Sequence, residues 1–260
     1  VALSSGSETV TLCKDLNDGI HTARIIKAAS PKYGNLYLPA KNAFETDGTF
    51  LKPRKRPSLQ VEFLGDSITA GAGAAGSSEQ TEQTLSNSDA TLSYAFVAAQ
   101  ALNANFSIMA LEDICIRDGD NTAYDKYLHY SFSNSNRYDP AKFDANVVVL
   151  GLGENDMRNV ADGSSYYTAR QFQQDYTELI QLVRQTRPNA TIVCVYGMSP
   201  ATSTPQAQEL IENAIADTND TNVYSLKLTS NEAGANKHPA AATHKINGNN
   251  LAKRIKELLN

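Results

Sequence analysis

The sequence predicts an α/β domain built on a doubly wound parallel sheet, and three observations carry that prediction. From Ser58 onward, short apolar runs alternate with helical patterns. The runs are apolar throughout rather than at every second residue, as strands covered on both faces require. The chain has 260 residues, 41% of them hydrophobic, which is enough to bury such a sheet between helices in a body of about 200 residues.

The opening part reads differently. TVTLCK (9–14) and IHTARIIKA (20–28) are extended runs with β-branched residues, separated by the turn signal NDG, and NLYLP (35–39) is a third short run. No amphipathic helix precedes Ser58. Residues 1–56 are therefore expected to form a β-rich segment, and 57–260 the α/β domain. LKPRKRPS (51–58) joins the two as a basic, proline-containing linker whose charges are solvated.

The expected strands of the α/β domain are LQVEFL (59–64), FSIMAL (106–111), NVVVLGLG (146–153), TIVCVYG (191–197) and VYSLKL (223–228). The clearest helix carries Phe172, Tyr176, Leu179, Ile180 and Val183 and ends near Arg184, Arg187 and Pro188. A last helix carries Ile246, Leu251, Ile255, Leu258 and Leu259. SSEQTEQTLSNSD (77–89) is polar and reads as a surface loop.

Charge and composition exclude several functions. The net charge of −5 gives no reason to expect nucleic acid or an anionic membrane as a partner. No run reaches the roughly 18 apolar residues of a membrane span. Cys13, Cys115 and Cys194 form no disulfide framework, and no Cys/His cluster suggests a metal site. Cys194, inside an apolar run, reads as a core thiol. Three glycosylation triplets, at Asn105, Asn189 and Asn219, lean towards a secreted protein.

VEFLGDSITAGAGAAG (61–76) offers two readings. Gly71, Gly73 and Gly76 match G-x-G-x-x-G, but a dinucleotide cradle needs its first glycine directly after the strand and a helix opening within the motif. Here DSITA intervenes and a polar loop follows, so the glycines read as a tight turn around Ser67. Ser67 lies three residues past the expected strand end, where open α/β sheets collect their chemistry. Asn155 lies just past another strand, and NKHPAAATH (236–244) holds two of the four histidines. A serine hydroxyl needs an adjacent base to act as a nucleophile, and Pro239 stiffens the turn bearing His238. Taken singly, Ser67 is a turn residue, Asn155 a cap and His238 a packed or surface histidine; their joint occurrence lifts them above those readings. His244 is assigned to packing or capping, and His21 and His129 carry no signal.

GDSIT (65–69), GENDM (153–157) and His238-Pro239 resemble the blocks of SGNH hydrolases, also called GDSL esterases. DGIHTARIIKAAS (18–30), PRKRPSLQVEFLGDSITAGAG (53–73), VVVLGLGEND (147–156) and HPAAATH (238–244) resemble one branch, carbohydrate esterase family two, over nearly the whole chain. The resemblance implies a flavodoxin-like SGNH domain behind a small β-sandwich, of which residues 1–56 would be only the end. It implies a serine esterase that removes acetyl groups from xylan or another plant-wall polysaccharide, with no metal or cofactor. Ser67 would be the nucleophile and His238 the base. The oxyanion hole would be lined by the Ser67 N–H, the Asn155 side chain and a residue of the second block. Asp66 and Asp156 would hold turns.

Two departures from the family pattern bear on activity. The family's Asp-x-x-His aspartate is replaced by Ala235, so a backbone carbonyl would have to orient His238 in a Ser-His dyad, with slower turnover expected. In MALEDICIRDGD (109–120) the glycine of the second block is replaced by Glu112 or Ile114; of these Glu112 is carried forward as the oxyanion donor. These departures motivate a carbohydrate-binding pseudoenzyme as the alternative, and an SGNH esterase acting on lipid or aryl esters is a third reading. The sugar, the acetylated position and the oligomeric state are not legible.

Overall fold

The computed structural model describes residues 6–39, 41–118, 121–122, 139–161 and 167–260. His129 and the last two residues of the 109–120 block lie outside them. The main sheet has five parallel strands, β1 (Gln60–Gly65), β2 (Asn105–Ala110), β5 (Val147–Gly151), β6 (Thr191–Tyr196) and β7 (Val223–Lys227), in the order β2-β1-β5-β6-β7. A separate antiparallel pair is made by β3 (Arg117–Asp118) and β4 (Asn121–Thr122). Counted along the main sheet alone, the order is 2-1-3-4-5, the flavodoxin-like arrangement. The flanking helices are α1 (Tyr94–Ala101), α2 (Glu154–Ala161), α3 (Ala169–Thr186), α4 (Pro205–Asp217) and α5 (Ala241–Leu259).

Each of the five expected strands forms, and their uniform apolarity has the expected cause. Val61, Phe63, Val147, Val149, Val193 and Val195 turn to one face, against Tyr94, Ala98, Leu251 and Ile255 of α1 and α5. Leu64, Val148, Leu150, Ile192 and Cys194 turn to the other, against Phe172, Tyr176, Ile180 and Ile211 of α3 and α4. Alternate residues thus enter two separate cores. α3 begins with a capping box between Thr168 and Gln171 and stops at Arg187, ahead of Pro188.

The one charge in β1, Glu62, is buried and meets the buried Arg187, whose Nη2 lies 3.0 Å from Oε1 and 2.9 Å from Oε2. Burial raises the Glu62 pKa and the Arg187 charge opposes the rise. Removing either partner would leave an uncompensated charge in the core, a loss of about 3–5 kcal/mol.

The opening segment departs from expectation. Among the described residues before Gln60 no strand forms at 9–14, 20–28 or 35–39, and the only regular element is a short 3-10 turn, Pro31–Tyr33. β-Branched composition favours an extended chain, but a strand also needs a partner for its backbone groups. None of the described segments pairs with these runs, and Leu12, Ile20, Tyr37 and Phe50 are exposed. The part nearest the body is anchored: Ala90 N–H donates to the Ala28 carbonyl at 2.8 Å, and Arg24 stacks over Phe96 and Phe106.

Among the described residues, no helix is long and apolar enough to cross a membrane.

Candidate active site

β1 and β5 are neighbours at the point where the strand order reverses, so their carboxyl ends open onto one crevice. Gly65 is in register with Ala110 on one side and Gly151 on the other. The residues that follow these three positions, Ser67, Glu112 and Asn155, are thereby brought to the same end of the sheet.

After Gly65 the chain coils tightly. Ala70 and Ala72 N–H donate to the carbonyls of Asp66 and Ser67, each at 3.0 Å, and the Asp66 Oδ1 accepts the Ile68 N–H at 3.0 Å. Asp66 thus holds the turn, as the sequence reading expects. Its carboxyl is pushed up to about 8 by burial, with the nearby Glu154 charge adding to the effect. Behind the turn, Thr69 Oγ1 and Tyr94 OH are 2.8 Å apart.

The turn's glycines serve close approach. Gly71 and Gly73 have φ of +73° and +67°, and a Cβ on Gly73 would run into the Ala235 carbonyl and press on the His238 Cβ. The loop bearing the histidine therefore packs directly on the loop bearing the serine. Ala235 N–H donates to the Gly73 carbonyl at 2.9 Å.

His238 Nε2 lies 3.0 Å from Ser67 Oγ. Its Nδ1 lies 2.8 Å from the Asn236 carbonyl oxygen. That carbonyl is aimed by an unusual backbone: Asn236 and Lys237 are both left-handed, with φ of +48° and +59°. Asparagine tolerates this conformation and lysine adopts it at a cost. Burial lowers the His238 pKa, the Asn236 carbonyl raises it, the Arg158 charge lowers it and the Glu112 charge raises it.

The second block is tied to the start of α2. Asn155 Nδ2 donates to the Ile114 carbonyl at 2.8 Å, which occupies one of its two N–H groups. Both Asp156 oxygens accept the Ile116 N–H at 3.0 Å, so Asp156 holds this loop as expected. Burial pushes the Asp156 carboxyl up to about 7. The left-handed residue of the block is Asp113, with φ of +60°, and not Glu112 or Ile114. An aspartate accepts that conformation where most residues resist it, so the turn survives without glycine.

Glu112 is buried, and its Oε2 pairs with Lys32 Nζ at 3.0 Å. The side chain is thus engaged by the opening segment. The N–H groups of Ser67 and Glu112 find no acceptor among the described residues.

Two residues receive roles that sequence reasoning does not assign. Gln83, in the polar loop, places its Nε2 2.8 Å from His238 Nε2 and 3.2 Å from Nδ1. Nothing in the composition of that loop distinguishes this glutamine from its solvated neighbours. Lys32 is the other, and only the fold reveals its partner. His244 does cap a helix, but not its own: its Nδ1 accepts the Tyr94 N–H at 3.1 Å, at the start of α1. Burial lowers its pKa to about 4, so it stays neutral. Among the described residues, no group of three or more His, Cys, Asp or Glu side chains is arranged to hold a metal ion.

The chain is similar to known proteins over most of its length. It is 28% identical over 272 residues to a cellulase/esterase, CelE, of Acetivibrio thermocellus, covering 99% of this chain and 32% of that protein. It is 28% identical over 149 residues to an acetylxylan esterase/glucomannan deacetylase of Cellvibrio japonicus, covering 54% of this chain and 41% of the relative. The chain thus spans well under half the length of these curated relatives. Among solved structures it resembles a family two carbohydrate esterase from Clostridium thermocellum, in complex with cellohexaose, with a TM-score of 0.73 and 28% identity over 82% of this chain and 68% of that one. A model of the GDSL-like lipase/acylhydrolase family matches residues 63–229, well over half of the chain, and the chain belongs to that family.

Proposed function

We propose that the protein is a serine esterase that removes O-acetyl groups from carbohydrate, working through a Ser67-His238 dyad. The observation that carries the reading is the 3.0 Å approach of Ser67 Oγ to His238 Nε2, with Nδ1 held by a carbonyl. A neutral imidazole fixed in this way carries its proton on Nδ1 and presents a bare Nε2 to the hydroxyl.

In the first half-reaction Ser67 Oγ bonds to the acetyl carbon while Nε2 takes the hydroxyl proton. The carbonyl oxygen becomes an oxyanion, met by the N–H groups of Ser67 and Glu112 and the second N–H of the Asn155 amide. The bond to the sugar oxygen then breaks, and Nε2 gives its proton to that oxygen. Water attacks the acetyl-serine, Nε2 takes its proton, acetate departs, and the proton returns to Ser67.

Two features support turnover despite the departures from the family pattern. The Asn236 carbonyl fixes the histidine, although a neutral acceptor stabilises the imidazolium less than a carboxylate. Lys32 offsets the Glu112 charge, which would otherwise oppose an oxyanion nearby. The relatives named above favour acetylated plant-wall polysaccharide as the substrate class, which would be met outside the cell.

The test is acetate release from acetylated xylo-oligosaccharides and from p-nitrophenyl acetate, by the protein and by Ser67→Ala. Turnover that falls by about 10⁴-fold or more in the variant is the expected result. Equal turnover in both proteins would refute the dyad. Oligosaccharide binding with no turnover in either would favour the binding-protein reading, which the buried carboxylate of the second block motivates.

A further inference from the structure

The opening segment meets the second block through one ion pair. Lys32 Nζ lies 3.0 Å from Glu112 Oε2; the lysine side chain is 45% exposed and the glutamate side chain 2%. The other carboxylate oxygen, Oε1, is buried and finds no hydrogen-bond partner among the described residues. Among those residues Lys32 is also the one cation paired with Glu112. A carboxylate taken out of water is thus compensated from one side only, by a charge that comes from outside the α/β domain.

Glu112 stands between two ties to the site. Just before it, Leu111 N–H donates to the Gly65 carbonyl at 3.2 Å, at the strand end that leads to Ser67. Just after it, the Ile114 carbonyl accepts from Asn155 Nδ2 at 2.8 Å. Its charge reaches His238, whose pKa it raises while the Arg158 charge lowers it. The lysine is fixed as well. Lys32 N–H donates to the Oγ of the buried Ser30 at 3.2 Å, and the Ser30 carbonyl accepts Tyr33 N–H at 3.1 Å and Lys27 Nζ at 3.2 Å. Next to the Ala90 N–H that holds Ala28, Asp89 N–H donates to the Gly71 carbonyl of the serine turn at 3.0 Å. The opening segment is therefore fastened to the surroundings of both Ser67 and Glu112.

We propose that Lys32 is a positioning residue of this esterase: it neutralises the carboxylate that the second block carries beside Ser67, so that an oxyanion can form there, and it makes the opening segment a working part of the active site. The inference rests on the Ser67-His238 reading. Negative charge builds on the carbonyl oxygen in the transition state and is absent from the bound ester. An uncompensated carboxylate nearby therefore opposes the chemical step and leaves ester binding nearly untouched. Lysine suits the position because its stem lies along Tyr33, with Nζ 5.8 Å from the ring centroid, while its head pairs with Glu112.

The experiment measures p-nitrophenyl acetate kinetics in three variants: Lys32→Met, Lys32→Arg, and Lys32→Met combined with Glu112→Gln. Methionine keeps the stem and removes the charge, so kcat should fall about tenfold with KM nearly unchanged. Lys32→Arg, which restores a cation, should retain most of the rate. The double variant should regain most of what Lys32→Met loses, because glutamine keeps the shape of Glu112 and carries no charge to be cancelled. A lysine that merely fastens the segment predicts the opposite, since the second substitution removes the rest of the contact. Full kcat in Lys32→Met, a loss confined to KM, or a loss that the double variant does not recover overturns the proposal and leaves the dyad intact. A wild-type protein that does not hydrolyse the ester, or a Ser67→Ala protein that hydrolyses it equally well, overturns the dyad and this proposal with it.

Discussion

His238 has its Nδ1 against a main-chain carbonyl and its Nε2 facing the Ser67 hydroxyl, and its burial decides how it titrates. Burial holds its pKa below the ordinary 6.5, against the pull of the Asn236 carbonyl. A general base must be neutral to accept the serine proton, so activity is lost only as pH falls through this lowered value. The acid limb of kcat/KM on p-nitrophenyl acetate is therefore expected below pH 6.5, and a midpoint above 6.5 would contradict the assignment. Ser67, Asn155 and His238 are legible in the sequence because each is a reactive or donor residue type just past an apolar run or beside a stiffening proline. Gln83 is not, because its meaning comes from a contact 155 residues away. The left-handed positions at Asp113, Asn236 and Lys237 are likewise invisible, since none of the three is glycine.

Elements are legible where burial is two-sided and periodic, and illegible where pairing decides. All five strands of the main sheet, α3 and α5 follow from patterns that local chemistry enforces. The runs at 9–14, 20–28 and 35–39 have strand composition but no ladder among the described residues, and composition cannot supply a partner. The glycine-rich turn after β1 has its use in packing, with Gly73 seated against the loop of His238. Gly73→Ala would force that loop away and place an alanine at positive φ, a backbone cost of about 1–2 kcal/mol before any clash. Esterase activity should drop at least about tenfold, and the melting temperature by several degrees. Gly48→Ala, where the added Cβ meets only ordinary contact, serves as the control. Full activity in the Gly73 variant would show that the two loops need not touch so closely.

At the scale of the whole molecule, the buried carboxyls behind the site tie stability to pH. Burial raises the pKa of Asp66 to about 8 and of Asp156 to about 7, and that of Glu154 also rises. In the unfolded chain an aspartate ionises near 3.8. Between the two values the folded state binds more protons than the unfolded one, so stability falls as pH rises through this window. The urea midpoint should be higher near pH 5 than near pH 8, and Asp66→Asn, which keeps an acceptor for Ile68, should flatten the difference. A midpoint that climbs over the same range would contradict the raised values. The sheet order has one more consequence, in time rather than in space. Ser67 and His238 are separated by 171 positions, and the strands that bring them together include nearly the whole domain. Closing so long a loop is slow, and its entropy is repaid only once the intervening strands have docked. On the proposed reading, a chain emerging from the ribosome carries Ser67 long before His238, so hydrolysis would begin only once the strands between them have docked. On that reading acetyl release would be a clock for the assembly of this sheet, silent through every earlier stage.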